Sequence, residues 1–196
     1  VSSTYNIPGV TEHAMPLKEL WDARQLRQKI IDNFERASSP NLTKDAIKNL
    51  LSFVVVGGGP TGVEFAAELS DFLEEDLEKS YPNIAKLATI TLVEAGNNIL
   101  NTFDQKLSEY ARNHFERLKI KLLLNAPVQR VMADKIVLSD ETEIQYGLLV
   151  WSTGNGPTDF VKSLPYPKDR TGRLLTTENF LIPGKDSIFA IGDCAT

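Results

Sequence analysis

A glycine-rich hexapeptide follows directly after the most apolar segment of the chain. The apolar segment is Phe53-Val-Val-Val56, and the hexapeptide reads Gly57-Gly58-Gly59-Pro60-Thr61-Gly62. A run of aromatic and β-branched residues that ends in glycines is typical of a buried strand in a parallel sheet. From about Thr61 to Lys79, apolar side chains recur at helical spacing. The pattern therefore predicts a strand, a tight turn and a helix in direct succession.

The hexapeptide fits the G-x-G-x-x-G pattern of dinucleotide-binding domains. In that pattern Gly57 permits the tight turn, Gly59 allows a diphosphate to approach the backbone, and Gly62 lets the helix pack closely on the strand. The free amides at the helix N-terminus then attract the diphosphate. The motif alone is weak evidence, but the strand–turn–helix context strengthens it. We predict a dinucleotide site here, with Pro60 and Thr61 in the same loop.

An acidic residue ends the next predicted strand, Thr89–Glu94. A site for NAD needs a carboxylate at this place, because it accepts hydrogen bonds from the adenosine ribose hydroxyls. Glu94 lies 32 residues after Gly62, and the long acidic helix with the Tyr81–Ala88 connection accounts for that separation. No Lys or Arg follows closely to receive a 2′-phosphate, which the carboxylate would repel. Glu94 therefore predicts NADH in preference to NADPH.

Strands and helices continue to alternate beyond Glu94, and a group of short strands then interrupts this alternation. The elements that we predict there are a helix from the N-cap Asp104 to about Leu118, strand Lys121–Leu124, antiparallel strands Val128–Met132, Lys135–Leu138 and Glu143–Gln145, and strand Leu148–Trp151. The fold class is therefore α/β: a Rossmann-like parallel βαβαβ sheet with an antiparallel β insertion before its last strand.

The N-terminal part of the chain carries fewer signals. Residues 1–16 are predicted as a loop, since Pro8-Gly9 and Pro16 interrupt them, and 17–37 as a helix. We expect four large aromatic residues to lie in the core: Trp21, Phe65, Phe72 and Trp151.

Charge and cysteine content exclude several classes of protein. The 196 residues hold 21 basic and 26 acidic side chains, a net charge of −5, which disfavours a nucleic-acid binder or a binder of anionic membranes. The single cysteine, Cys194, excludes a disulfide within these residues. His13 and His114 lie far apart and have no cysteine nearby, so we predict no metal site.

Taken together, these motifs resemble the two-dinucleotide flavoprotein reductases. Among them, residues 56–69 are similar, nearly residue for residue, to the NADH fingerprint of the type II (alternative, rotenone-insensitive) NADH:quinone oxidoreductases of mitochondria. Trp151-Ser-Thr-Gly154-Asn155 resembles the strand that returns from the NADH domain, and Ile191-Gly192-Asp193 resembles the second flavin motif. The resemblance implies that Gly154 and Asn155 bind NADH. It also implies that Gly192 and Asp193 contact FAD, with Asp193 accepting from the ribityl chain.

The resemblance further implies an enzyme peripheral to the mitochondrial inner membrane, homodimeric in its parent form. It would pass a hydride from NADH to FAD and then electrons to ubiquinone without pumping protons, the flavin carrying the redox chemistry. Glu64 would help to orient the nicotinamide, with no residue required as a general acid or base. Helix-dipole stabilisation is the alternative explanation for Glu64 and Glu68, which lie one turn apart.

The first flavin fingerprint of that family has no counterpart before Gly57. We therefore expect the middle of a longer protein: residues 1–16 as a remnant of the FAD-binding domain or a linker, 17–156 as the NADH-binding domain, and 157–196 as the returning FAD-domain segment. By itself this chain should bind NADH, bind FAD weakly or not at all, and lack quinone reductase activity.

Two other functions remain open from the sequence. One is the NADH domain of a different flavin-dependent reductase, such as a ferredoxin reductase. The other is a non-enzymatic NADH-sensing or interaction module, whose acidic face at Glu74–Glu78 would dock a basic partner, although such a face is more often simply solvated.

Overall fold

The computed structural model describes residues 3–154 and 156–196. Contacts between Cα atoms divide the chain into two compact units. The larger unit is Thr4–Thr153, and the smaller one contains Ser3 and the described residues from Gly154 to Thr196. The division at 153/154 lies near the expected boundary after residue 156. The expected boundary after residue 16 is not a division between units, because Thr4–Pro16 belongs to the larger one.

The larger unit is built around a five-stranded sheet in which every pair of neighbours is parallel. Its strands are β1 (Met15–Pro16), β2 (Ser52–Val56), β3 (Thr89–Val93), β4 (Lys121–Leu123) and β8 (Leu148–Trp151). Their order is β1-β8-β2-β3-β4, so β2 is central, and its Val54 pairs with Thr91 on one side and Leu149 on the other. Phe53 and Val54–Val56 are buried, as expected for a strand covered on both faces. The predicted parallel sheet is confirmed.

Helices precede β1 and connect β1 to β2, β2 to β3 and β3 to β4. In the larger unit they are α1 (Val10–His13), α2 (Leu20–Ala37), α3 (Lys44–Leu50), α4 (Pro60–Phe72), a π-helical turn (Leu73–Leu77), α5 (Glu78–Ser80), a 3-10 turn (Ala85–Leu87) and α6 (Gln105–Arg117). The segment from α4 to the 3-10 turn fills the long connection between Gly62 and Glu94. Asp104 is the N-cap of α6, as predicted, since its side chain accepts a hydrogen bond from the Lys106 amide at 2.7 Å.

The predicted insertion is an antiparallel sheet between β4 and β8. Its strands are β5 (Val128–Val131), β6 (Lys135–Leu138) and β7 (Glu143–Gln145), with β6 in the centre. Ile136 and Val137 are fully buried, which explains why this apolar pair lies on the central strand. The antiparallel insertion predicted before the last parallel strand is thus confirmed.

The loop predicted for residues 1–16 is wrong in two places. Val10–His13 forms a helical turn, and Met15–Pro16 pairs in parallel with Val150 and Trp151 of β8. Pro16 has no backbone N–H, and an edge strand tolerates that loss. Gly9 explains how closely the segment packs on the insertion, because a Cβ there would lie 1.9 Å from the Val131 carbonyl oxygen. An element of two residues has no periodicity, so the sequence offered no signal for it.

The core position predicted for Trp21 is also wrong, since 63% of this residue is exposed. The buried face of α2 carries Leu26, Ile30 and Phe34. Trp21 precedes Ile30 by about two and a half turns, which places it on the opposite side of the helix. Trp151 is buried as predicted. The two phenylalanines predicted in the core are partly buried and pack against its surface: Phe65 and Phe72.

The smaller unit has little regular structure. Its one described helix is α7 (Asp159–Ser163), whose N-cap Thr158 accepts from the Val161 amide at 3.3 Å. Its small core contains Val161, Leu174, Ile182 and Ala190. In both units, none of the described helices is long and apolar enough to cross a membrane.

Candidate dinucleotide-binding site

The glycine-rich loop lies at the carboxyl end of the central strand β2. The Gly57 amide donates to the Val93 carbonyl oxygen of β3 at 2.9 Å. On the other side, the Ser152 amide donates to the Val56 carbonyl oxygen, also at 2.9 Å. The loop is therefore attached to both neighbouring strands. In open α/β sheets the crevice beyond the carboxyl ends of the strands is where ligands bind.

Two positions in this loop require glycine for steric reasons. Gly57 has a φ of +119°, and a Cβ there would lie 2.8 Å from the Ser152 carbonyl oxygen. A Cβ on Gly62 would lie only 2.0 Å from the Gly57 carbonyl oxygen, because the first turn of α4 packs directly on the loop. The tight turn at Gly57 and the close helix packing at Gly62 are those that the motif predicts.

Gly59 differs from both, since a Cβ there would have no described heavy atom within 4 Å. It is the N-cap of α4, and Pro60, which has no N–H to leave unpaired, is the first helical residue. The amides of Thr61 and Gly62 follow in the first turn, where the helix itself offers no acceptor. Open space in front of free helix N-terminal amides is the arrangement that binds a phosphate group.

Glu94 lies directly after β3, and its half-buried carboxylate contacts the glycine loop. Its Oε2 accepts from the Gly58 amide and its Oε1 accepts from the Gly96 amide, each at 2.6 Å. A side chain at Gly58 would crowd this contact, because a Cβ there would lie 2.9 Å from Oε2. Each carboxylate oxygen can accept more than one hydrogen bond, so acceptor capacity remains for ribose hydroxyls. The structure thus brings together the two features that the sequence predicted separately.

A second support for the loop was not predicted from the sequence. The Leu100 amide donates to the Gly58 carbonyl oxygen at 2.7 Å, so Gly58 is held through both its polar atoms. The preceding residue is held in turn by α6, whose buried Ser108 donates to the Ile99 carbonyl oxygen at 2.6 Å. Isolated polar residues of this kind follow no spacing rule, and no motif indicated them.

Ser152, the residue after β8, was also missed. It is 8% exposed, and its Oγ is buried with no hydrogen-bond partner among the described residues. That oxygen lies against the glycine loop, 3.2 Å from where a Cβ on Gly57 would be and 2.6 Å from where a Cβ on Gly62 would be. A buried polar atom without a partner is uncommon in folded proteins.

Glu64 is exposed on α4. The helix begins at Pro60 and has no acidic residue in its first turn, so Glu64 is its fifth residue and Glu68 lies a turn further on. Charge–dipole stabilisation declines beyond the first turn of a helix. That alternative explanation for the two glutamates is therefore weak, and Glu64 remains a candidate for a contact with the ligand.

The remaining predicted site residues lie in the smaller unit. Gly154 is exposed, and Asn155 lies outside the described residues. Gly192 has a φ of +86° and opens a turn that the Ala195 amide closes by donating to the Gly192 carbonyl oxygen at 3.0 Å. Asp193 lies exposed in this turn, which follows the buried Ala190 and the exposed Ile191.

The parallel sheet, the glycine loop at its carboxyl edge and the acidic residue at the end of the next strand define a Rossmann-type dinucleotide-binding domain. Residues 2–196 match the pyridine nucleotide-disulphide oxidoreductase family, and the chain belongs to that family.

Named relatives agree with the resemblance found in the motifs. The chain is 45% identical to "External alternative NAD(P)H-ubiquinone oxidoreductase B3, mitochondrial" of Arabidopsis thaliana, over 100% of this chain and 35% of that protein. It is also 45% identical to "External NADH-ubiquinone oxidoreductase 2, mitochondrial" of Saccharomyces cerevisiae, over 98% of this chain and 37% of that one. The predicted similarity to type II NADH:quinone oxidoreductases is confirmed. The chain spans little more than a third of the length of these relatives.

Solved structures show the same fold. NDH2 from Plasmodium falciparum in complex with NADH superposes with a TM-score of 0.94 at 33% identity, over 100% of this chain and 42% of that one. A ferredoxin reductase from Rhodopseudomonas palustris gives a TM-score of 0.73 at 20% identity, over 99% of this chain and 42% of that one, which is a likeness of fold alone.

Proposed function

We propose that this chain is the NADH-binding portion of a non-proton-pumping NADH:quinone oxidoreductase. The observation that carries the proposal is the contact between the Glu94 carboxylate and the Gly58 amide. It brings a ribose-binding acid and a diphosphate-binding loop to one edge of the sheet. The NDH2 structure with NADH, which covers the whole of this chain, supports the same ligand.

Each part of the site has a chemical task in this proposal. The amides of Gly59, Thr61 and Gly62 bind the diphosphate, because they lie at the positive end of α4 and the space at Gly59 is open. Glu94 accepts from the adenosine ribose hydroxyls and repels a 2′-phosphate, so NADH binds in preference to NADPH. Glu64 would help to orient the nicotinamide, and the resemblance to the family implies that Gly154 and Asn155 also contact NADH.

FAD is the second cofactor of the parent protein in this proposal. The turn at Gly192 suits it, because the positive φ turns the backbone and no described heavy atom lies within 4 Å of where a Cβ would be. The Asp193 carboxylate there would accept from a ribityl hydroxyl of FAD. Bound there, FAD would supply the redox chemistry between NADH and ubiquinone. The chain itself binds and positions the cofactors, and no side chain serves as a general acid or base.

For the parent we propose a peripheral, homodimeric protein of the mitochondrial inner membrane that has ubiquinone as its electron acceptor. The names of the relatives support a mitochondrial location and ubiquinone as the acceptor. Residues 17–156 would form the NADH-binding domain together with Thr4–Pro16, which belongs to the same compact unit, and 157–196 would belong to the FAD-binding side. The chain by itself would bind NADH without turnover.

Calorimetric titration of this chain with NADH, NADPH and FAD tests the binding part. We expect NADH to bind, NADPH to bind more weakly, and FAD to bind weakly or not at all. Preferential NADPH binding would refute the role of Glu94, and a sample purified with stoichiometric flavin would refute the expected weakness for FAD.

Turnover of the full-length parent tests the reaction. We expect NADH oxidation with a short-chain ubiquinone as acceptor. Reduction of ferredoxin but not of quinone would favour a ferredoxin-reductase-like enzyme, and NADH binding without turnover by any acceptor would favour a sensing module.

A further inference from the structure

The strongest unexplained feature of the larger unit is the Ser152 hydroxyl. Its Oγ has no hydrogen-bond partner among the described residues, although the residue is only 8% exposed. The backbone of Ser152 is fixed, because its amide donates to the Val56 carbonyl oxygen at 2.9 Å. A buried hydroxyl without a partner destabilises the fold. Nothing in the packing of the ligand-free protein therefore requires a hydroxyl rather than a methyl group at this position.

The hydroxyl lies under the part of the loop where a diphosphate would bind. Gly57 and Gly62, the first and last glycines of the motif, both approach Oγ closely. Gly62 belongs to the first turn of α4, whose amides are free of helical partners. The open space at Gly59 lies on the ligand side of the loop. Ser152 therefore adds a buried dipole to the positive end of α4, on the opposite side of the loop from the ligand.

We propose that Ser152 is a positioning residue for the dinucleotide diphosphate. This inference rests on the proposed function, since it assigns a residue to that same site. Because no acceptor holds the hydroxyl hydrogen, the O–H bond is free to rotate until its positive end points towards the bound diphosphate. A dipole in a buried environment interacts more strongly with a charge than the same dipole in water. The hydroxyl thus stabilises the complex through the loop, without direct contact.

Replacement of the hydroxyl by a methyl group separates this role from a structural one. Ser152→Ala removes an unpartnered buried polar group, so we expect the melting temperature of the ligand-free chain to stay the same or rise. The same change should weaken NADH binding about 3- to 10-fold, the range of a single hydrogen-bond-sized interaction. Affinity would therefore fall without a loss of stability, whereas loss of a structural serine would lower both.

A comparison of NADH with ADP-ribose shows which part of the ligand Ser152 affects. NADH and ADP-ribose both carry the diphosphate, so Ser152→Ala should weaken both by the same factor. The matched control is Ser70→Ala, a serine buried on α4 away from the loop, which should leave both affinities unchanged.

The results that would overturn the role of Ser152 differ from the result that would contradict the proposed function. Wild-type affinities in Ser152→Ala would overturn the assignment of Ser152, as would a loss confined to NADH, which would place the effect at the nicotinamide end. A large fall in melting temperature would show that Oγ has a structural partner and would also overturn it. Failure of the wild-type chain to bind either ligand would instead contradict the proposed function itself.

Discussion

The Glu94 carboxylate accepts a hydrogen bond from the Gly58 amide at 2.6 Å, across 36 positions of the chain. This contact joins the end of β3 to the turn after β2. Its second oxygen accepts from the Gly96 amide, so one side chain holds both the glycine loop and the backbone that follows β3. The residue that the sequence predicts as a ligand contact is thus also a support for the loop that we propose as the diphosphate site.

Glu94→Gln should weaken NADH binding and reduce the preference for NADH over NADPH. The glutamine has a single acceptor oxygen, so it can keep one of the two backbone contacts but not both. It also removes the negative charge that repels a 2′-phosphate. We expect a loss of about tenfold for NADH and a smaller loss, or a gain, for NADPH, measured by calorimetric titration.

The matched control for this change is Glu116→Gln, which removes the same charge from an exposed position on α6. It should bind both nucleotides as the wild type does. An unchanged ratio of NADH to NADPH affinity in Glu94→Gln would contradict the assigned role.

Gly62→Ala should unfold or severely destabilise the larger unit. The added Cβ would lie 2.0 Å from the Gly57 carbonyl oxygen, and neither the loop nor α4 can move without losing other packing. Overpacking of a rigid site costs about 1–3 kcal/mol, and contact with a backbone atom should give a cost at the upper end. Urea denaturation measures the loss, and a variant as stable as the wild type would show that α4 is less tightly packed on the loop.

Gly59→Ala should leave the stability nearly unchanged but weaken NADH binding. The φ of Gly59 is −76°, which alanine adopts readily, and its Cβ would face open space, so stability should change by less than about 1 kcal/mol. Because that space is where the diphosphate would lie, NADH affinity should fall at least about tenfold. Unchanged affinity in a folded Gly59→Ala protein would mean that the diphosphate binds elsewhere.

Tyr146 should contribute a pH-dependent component to stability at alkaline pH. Burial, with a smaller contribution from the nearby Asp134 charge, raises the pKa of Tyr146 from 10 to about 12. The unfolded chain therefore loses this proton at lower pH than the folded chain. The stabilisation is complete below pH 10 and declines as the pH rises from 10 towards 12.

Tyr146→Phe removes this titration and also the hydrogen bond that Tyr146 donates to the Met132 carbonyl oxygen. The wild type loses stability as Tyr146 ionises in the unfolded chain, whereas the variant has no such titration. The difference in unfolding free energy between them should therefore be smaller at pH 11 than at pH 9. The exposed Tyr110→Phe change is the control, with a small difference at both pH values. A constant difference for Tyr146→Phe would exclude the linkage.

Asn33 should be a major contributor to the stability of the larger unit. It is fully buried, and its Nδ2 donates at 3.0 Å to the carbonyl oxygens of Leu50 and Gly147, which are far apart in the chain. Asn33→Leu leaves both oxygens without this donor and should cost about 1–3 kcal/mol in urea denaturation. The exposed Asn113→Leu change on α6 is the control and should have little effect. A neutral Asn33→Leu change would show that other donors replace the amide.

Most of the site could be predicted because its signals are local. The run of β-branched residues into Gly57, the helical spacing after Pro60 and the carboxylate at the end of the next strand each follow from a few consecutive residues. The partners of those residues could not be predicted. No pattern pairs Asn33 with Gly147, or places the Ser152 hydroxyl under Gly62, because such contacts depend on where distant segments meet.

The exposure of Trp21 illustrates the same limit. An apolar residue near the start of an amphipathic helix is compatible with either side, and only the packing of Leu26, Ile30 and Phe34 decides which face is buried. The pairing of Met15–Pro16 with β8 likewise depends on the position that β8 takes in the completed sheet.

The sequence by itself thus determined the α/β class, the glycine turn, the antiparallel insertion and the acid at Glu94, because backbone sterics and hydrophobic periodicity act over a few residues. The tertiary structure alone decided that Glu94 holds the glycine loop, that Ser152 lies beneath it, and that β1 completes the sheet. These are contacts between segments that lie tens of residues apart. They form only when the whole core is packed, and no local preference encodes them.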